Sequence, residues 1–334
     1  MINNATEINS LRQSIENNLI PLIKTDYVLL DIPNHRNIGD NLIWEGELCF
    51  LKKHIHFKNL YSANVLNIDF NKIPIGKTIL FHGGGNWGDL YPVCQQLRLK
   101  VVQKYRENRI IVFPQTVYYK NKELLATECA VFNEHPDIYI CARDQHSYNM
   151  LAQHIAHSKL LLLPDMAFCI DNIVPHEQNL DKILFMQRTD NEVKDNNSLI
   201  STLRVVYADA LEISDWPTYS NSPLMYSLNM RYVTYKEMLS RFLQKTIFYS
   251  LVHPEYGLNC RKNREKYIRI GINFINRYEQ IYTTRLHGLI LSILLGKKVF
   301  IVDNNYGKSE DFYNTWLTNF KGVHLIKSVS EIKK

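Results

Sequence analysis

The sequence has no Cys-x-x-Cys pair; its six cysteines, Cys49, Cys94, Cys129, Cys141, Cys169 and Cys260, stand far apart. That spacing argues against a zinc site or a redox dithiol and fits reduced thiols inside a core. No apolar run approaches the roughly 20 residues that span a bilayer. The N-terminus, with Asn3, Asn4, Glu7 and Asn9, lacks the basic and apolar regions of a secretory signal. A cytoplasmic protein is expected, with at most a peripheral contact at the inner face of a membrane. No basic tract is interleaved with a nucleic-acid reading motif, so no nucleic-acid partner is expected. There is no internal sequence repeat.

What is present is an ordinary foldable composition, 46% apolar and 22% charged over 334 residues. The net charge of +6 and the pI near 8.8 favour anionic partners such as phosphorylated substrates. The length suits two domains, assigned here to residues 1–175 and 176–334. The polar, aperiodic stretch 170–180 is the expected linker. Strands alternate with helical periodicity in both halves, which predicts an α/β fold. An amphipathic helix over 7–24 is expected to pack on the first domain.

The most informative stretch is 281–308. A β-prone segment runs into Arg285-Leu286-His287-Gly288, and apolar residues then recur at helical spacing up to Gly296, a C-cap candidate. Lys298 to Val302 reads as the next strand, and Lys308 lies just beyond it. Ligands of open parallel sheets sit outside the carboxyl ends of strands, and helix N-termini there favour anions. Arg285, His287 and Lys308 would thus share one rim and hold a phosphate or carboxylate, with an imidazole that titrates near working pH. The plainer alternative is a salt bridge for Arg285 and quiet packing for His287.

Three further turns repeat this logic. A strand over 27–32 empties into Asn37-Ile38-Gly39-Asp40, ahead of a helix from Leu42; Asp40 either binds a substrate hydroxyl or caps that helix. The strand 78–82 leads to Gly83-Gly84-Gly85-Asn86-Trp87-Gly88-Asp89, before a helix over 90–106. Consecutive glycines allow backbone to approach a ligand and can form an anion nest. The run is not read as a dinucleotide fingerprint or a Walker A loop. The strand 138–142 delivers Arg143 to a helix start, where it binds a ligand or pairs with Asp144 or another carboxylate. A basic cluster, Arg261, Lys262, Arg264, Lys266 and Arg269, is either a solvated helix face or a docking surface for an anionic acceptor.

Together, Thr284-Arg285-Leu286-His287-Gly288, Asn305-Tyr306-Gly307-Lys308, Asn37-Ile38-Gly39-Asp40, the glycine run and Asp165-Met166-Ala167 resemble the polysaccharide pyruvyl transferase family, over roughly residues 30 to 317. The resemblance implies two Rossmann-like domains facing each other across a cleft, as in GT-B glycosyltransferases. It implies transfer of the enolpyruvyl group of phosphoenolpyruvate to a saccharide acceptor, leaving a cyclic pyruvate ketal and phosphate. Arg143, Arg285, Leu286 and Lys308 would bind phosphoenolpyruvate, His287 would act as acid or base with Arg285, and the second domain would carry this site. Asn37, Gly39, Asp40, Gly84, Gly85 and Asn86 would contact the acceptor or a second ligand on the first domain. No redox cofactor and no metal are implied. The alternatives are a glycosyltransferase using a nucleotide sugar and a catalytically idle glycan-binding protein of the same fold. Residues 195–260 match the family only diffusely.

Overall fold

Aliphatic runs buried on both faces form parallel strands, which need helical crossovers and therefore sit inside the molecule. The computed structural model describes residues 2–171, 173, 182–188, 196–219, 260–302 and 308–332, with the single residues 235, 239 and 242. It contains two such sheets. The first comprises β1 (Tyr27–Leu30), β2 (Asn59–Ala63), β3 (Thr78–Phe81), β4 (Gly84–Gly88), β5 (Ile110–Tyr118), β6 (Ile138–Ala142) and β7 (Leu160–Leu162). Its order is β2-β1-β3-β5-β6-β7, with β4 paired to β5. The second comprises β8 (Ile183–Met186), β9 (Leu211–Ser214), β10 (Gln280–Thr283), β11 (Lys298–Val302) and β12 (Val323–Ile326), in the order β12-β11-β10-β8-β9. All pairings are parallel.

The helices are α1 (Ala5–Leu19), α2 (Ile38–His54), α3 (Pro92–Lys104), α4 (Lys122–Glu134), α5 (Gln145–Ala152), α6 (Asn197–Tyr207), α7 (Cys260–Asn276), α8 (Leu286–Leu294) and α9 (Lys308–Phe312). The result is two Rossmann-like α/β units. Among the described residues no helix is long and apolar enough to cross a membrane.

The two units share a core. Leu11 of α1, Ile38 and Leu42 of α2, and Phe168 pack in one buried cluster with Leu184, Trp216, Leu289 and Phe312. The expectation that the first helix packs on the first domain is thus half correct. Ile15 and Leu19 do face the first sheet, but Leu11 joins the second core. Asn4 also exchanges hydrogen bonds with the Lys321 backbone, 3.0 and 2.9 Å.

Local chemistry moved other boundaries. Helix α2 begins at Ile38, not Leu42, because the Asn37 side chain accepts the Gly39 N–H at 3.0 Å and caps it. The glycine run is strand β4 rather than an open turn, and α3 starts only at Pro92. By spacing, Gly83, Gly85 and Gly88 do satisfy Gly-x-Gly-x-x-Gly. They belong to a strand edge, however, and open no helix. The Gly88 φ of +110° and the Tyr118 carbonyl, 1.9 Å from where its Cβ would stand, require glycine there for packing. Gly296 does close α8 in the left-handed region, φ +66°. The basic cluster is not simply a solvated face: Arg264 is buried, pairs with Glu45 at 2.6 Å and lies over the Trp44 ring, so it ties α7 to α2. Lys266 and Arg269 are exposed. The sequence also reads as a helix over 233–244 and a strand at 249–252; both fall outside the described residues, apart from residues 235, 239 and 242.

The packing of α2 on the turn Met166–Cys169 rests on Gly46, whose Cβ would stand 1.9 Å from the Met166 carbonyl oxygen. Backbone cannot yield as a side-chain tip can. Gly46→Ala should therefore cost about 3 kcal/mol, measured as a lowered denaturant midpoint.

Candidate active site

Seven strands end at one cavity of about 390 Å³, within the range of small-molecule sites. From the first sheet, β1 delivers Asp31, Asn34 and His35, β2 Asn64, β3 His82 and Gly83, and β6 Arg143; Gly85 and Asn86 lie on β4. From the second, β8 delivers Arg188, β9 Trp216, and β10 Arg285, Leu286 and His287. Both sheets thus present the carboxyl ends of their strands to one cavity, the usual ligand position of such folds.

Arg143 is 4% exposed. Its Nη1 meets Asp165 Oδ2 at 2.8 Å, and its Nε donates to Thr116 Oγ1 at 2.7 Å. A Cβ on Gly85 would stand 3.2 Å from Nη2, so the bare backbone there gives the guanidinium room. The carboxylate partner is Asp165 rather than the adjacent Asp144, which caps α5 by accepting the Ser147 N–H at 2.7 Å. Arg285 forms a two-point pair with Asp215, its Nε to Oδ1 and its Nη2 to Oδ2 at 2.6 Å. Its guanidinium also lies 5.1 Å from the Tyr219 ring centroid. Both arginines are therefore salt-bridged and cavity-lining at once, held in fixed orientation by their carboxylates.

His287 places Nε2 3.4 Å from Asp165 Oδ2, at ion-pair distance without the alignment of a hydrogen bond. One buried carboxylate thus faces Arg143 and His287 from opposite sheets. Burial alone would raise the Asp165 pKa, but His287, Arg143 and the Ala167 N–H hold it well below the usual carboxylate range. The other edge of the His287 ring rests on Gly39, whose Cβ would stand 2.6 Å from Nδ1.

Of the other expected residues, Asn37, Asp40, Gly85, Asn86 and Leu286 line the cavity. Asp40 accepts a hydrogen bond from Asn37 Nδ2 at 2.7 Å, so it buttresses the cap rather than making it. Gly39 and Gly84 do not line the cavity; Gly84, φ +122°, packs on Ile43. The backbone of Lys308 opens α9, and its side chain lies outside the described residues.

Sequence reasoning missed four groups. Arg188 follows β8 as Arg143 follows β6, a signal that could have been used. His82 closes the strand before the glycine run. Asp31 holds φ +64°, uncommon for a residue with a Cβ and frequent at functional sites. Its carboxylate accepts from Arg98 at 3.1 Å and Asn86 at 3.0 Å. Asp215, the partner of Arg285, gave no sequence signal. Among the described residues no three His, Cys, Asp or Glu side chains are grouped to hold a metal.

A two-unit parallel α/β protein with guanidinium groups and an imidazole at the shared strand-end cleft has the features of a site for small anionic ligands. The family model for polysaccharide pyruvyl transferase matches residues 37–306, and the chain belongs to that family. It is 30% identical to "Putative pyruvyl transferase EpsO" of Bacillus subtilis (strain 168), over 96% of this chain and 95% of that one. It is 29% identical to "Pyruvyl transferase 1" of Schizosaccharomyces pombe, over 86% of this chain and 69% of that one. An uncharacterized Klebsiella pneumoniae protein of known crystal structure shares the fold, with TM-score 0.61 and 18% identity over 95% of this chain and 99% of that one.

Two outcomes are expected. Gly39→Ala meets Nδ1, Cγ and Cβ of the His287 side chain rather than backbone, so the protein should still fold while turnover falls about 100-fold through a misplaced imidazole; parallel melting and rate measurements separate the two. Asp165→Asn leaves the buried Arg143 guanidinium facing a neutral amide and should lose about 3 kcal/mol near neutral pH. Because the folded carboxyl pKa is depressed, this stabilisation is complete above the ordinary carboxylate value of about 4 and fades as the pH falls below it. The gap between wild-type and variant unfolding midpoints should shrink accordingly in acid.

Proposed function

We propose that the protein transfers the pyruvyl group of phosphoenolpyruvate to hydroxyls of a saccharide in a surface polysaccharide or its precursor, forming a cyclic ketal and releasing phosphate. The observation that carries this reading is the convergence of Arg143, Arg188, Arg285 and His287 on one cavity that Asp31, Asn34, Asn37, Asp40 and Asn86 also line. Family membership supplies the class of reaction.

Phosphoenolpyruvate carries a phosphate and a carboxylate on three carbons. Guanidinium forks match both groups, and Arg143 and Arg285 are already oriented by Asp165 and Asp215. Lys308 completes the clamp in this reading. His287 protonates the terminal alkene carbon, which places positive character on the carbon bearing phosphate. Asp165 balances charge on the imidazole as the proton moves. The acceptor lies against the amide and carboxylate residues of the first domain, while the second domain supplies most donor contacts. No electrons change hands, so no redox cofactor takes part, and protein cations do the charge work otherwise assigned to a metal.

Phosphate release from phosphoenolpyruvate, measured against galactose-, mannose- and N-acetylhexosamine-containing acceptors with mass spectrometry of the product, tests the reading. Wild-type protein should release phosphate and add a ketal-linked pyruvyl group, and Arg285→Ala or His287→Ala should lower the rate at least about 100-fold. Absence of release with every acceptor, together with a melting temperature raised by a nucleotide sugar and not by phosphoenolpyruvate, would replace it with glycosyl transfer.

A further inference from the structure

We propose that His82, backed by Glu47, is a second proton-transfer group of this site and serves the acceptor hydroxyl. The inference rests on the ketal-forming reading above and adds a residue that the family resemblance did not supply.

The geometry is that of an oriented base. His82 follows β3, is 3% exposed, and lines the cavity. Its Nδ1 lies 2.9 Å from Oε2 of Glu47, which is fully buried on α2. The other carboxylate oxygen, Oε1, accepts the Gly83 N–H at 2.8 Å. Gln115 Nε2 donates to the His82 carbonyl at 2.7 Å and fixes the backbone. With Glu47 as the carboxylate acceptor, Nδ1 is the donor of the neutral imidazole, which leaves the Nε2 lone pair to accept a proton. That Nε2 is buried with no hydrogen-bond partner among the described residues. A buried acceptor left unmet is costly, and a ligand hydroxyl would satisfy it.

The electrostatics strengthen the imidazole as a proton acceptor. Burial would lower the imidazole pKa, but the charge and hydrogen bond of Glu47 outweigh it and raise the value, with Asp40 and Asp31 acting in the same direction. Burial raises the Glu47 pKa, with Asp165 adding to it, while His82 and the Gly83 N–H draw it down and favour the carboxylate. His82 therefore stands near enough to Asp31 and Asp40 to feel their charge.

Ketal formation requires two hydroxyl protons to leave, and only one ends on carbon. In the first addition the acceptor oxygen bonds to the phosphate-bearing carbon and its O–H bond breaks, its proton passing to His82 Nε2. The alkene electron pair takes a proton from His287 and becomes the methyl C–H bond. Phosphate then leaves with the electron pair of its C–O bond and takes the proton held on His82. The second hydroxyl bonds to the same carbon, and its proton returns to His287. Both imidazoles end as they began, and the products are ketal and hydrogen phosphate.

The test is the pH dependence of kcat and KM for wild type, His82→Asn and Glu47→Gln, with the acceptor panel above. The amide nitrogen of the introduced asparagine can replace Nδ1 at Glu47, so His82→Asn should fold and retain KM for phosphoenolpyruvate within about threefold while kcat falls about 100-fold or more. Glu47→Gln removes the charge that holds the imidazole up, so the acid limb of kcat should move to lower pH. If His82→Asn fails to fold, the Glu47→Gln profile decides alone. Wild-type turnover with an unmoved acid limb in Glu47→Gln, or with kcat of a folded His82→Asn within about threefold of wild type, overturns the dyad and leaves the parent reading intact. No phosphate release by wild type with any acceptor overturns both.

Discussion

The site depends on one buried carboxylate, Asp165, shared between two halves of the molecule. It stands after β7, on the first unit, and caps the turn Met166–Cys169 through the Ala167 N–H at 2.9 Å. An ionised carboxylate so deep is costly unless cations and N–H donors surround it. Arg143 reaches it from the same unit, and His287 from the other. The energetic condition that keeps Asp165 charged is therefore also the condition that brings the two sheets to their working distance. Small residues make that distance attainable. Gly39 seats the His287 ring, and a Cβ on Gly288 would stand 2.6 Å from Met186 Sδ and 2.8 Å from Thr283 Oγ1, so α8 starts directly on its own strand.

Pairing also changes the character of the cationic side. A group of bare guanidiniums would repel itself and leave each side chain free to wander. Arg143 and Arg285 instead each carry a carboxylate behind the guanidinium, so their orientation is settled during folding rather than when a ligand arrives. Stacking on Tyr219 adds to this, since that ring has Arg285 on the second unit and Arg36 on the first within 5.1 and 5.6 Å of its centroid. The cost is a weaker net positive field, and affinity for a small polyanion then relies on geometry more than on bulk charge.

What the sequence made legible follows from how local each feature is. A strand, a charged residue and a helix start lie within about ten residues, so Arg143, Arg285 and His287 could be placed at strand ends, and Asn37 at a cap, without knowledge of the tertiary fold. Their partners could not. Asp165 lies 22 residues from Arg143, Asp215 lies 70 from Arg285, and Glu47 lies 35 from His82, and no periodicity links residues at such separations. The edge strands β2 and β9 were missed because Asn-Leu-Tyr-Ser-Ala and Leu-Glu-Ile-Ser lack the continuous apolar run that marks a central strand. The N-terminal helix was assigned to one unit because amphipathicity reports that a face is buried, not against what. Arg264 looked solvated for the complementary reason: its carboxylate, Glu45, and the Trp44 ring under it come from a helix more than 200 residues earlier.

The continuous core beneath the cleft has a chemical consequence. Residues of α1, α2 and the Met166–Cys169 turn pack into the same cluster as Leu184, Trp216 and Leu289, so the strand ends of the two units keep one register. Under the proposed reaction the donor meets the arginines, the acceptor meets the amides and carboxylates, and two imidazoles share the proton transfers. His287 draws on Asp165, and His82 draws on Glu47; both carboxylates lie beneath the cavity wall, out of reach of water. Two proton carriers held by separate buried acids can occupy opposite protonation states at once, which a single histidine cannot. A ketal, whose formation moves protons in both directions at one carbon, is a product that makes use of that separation.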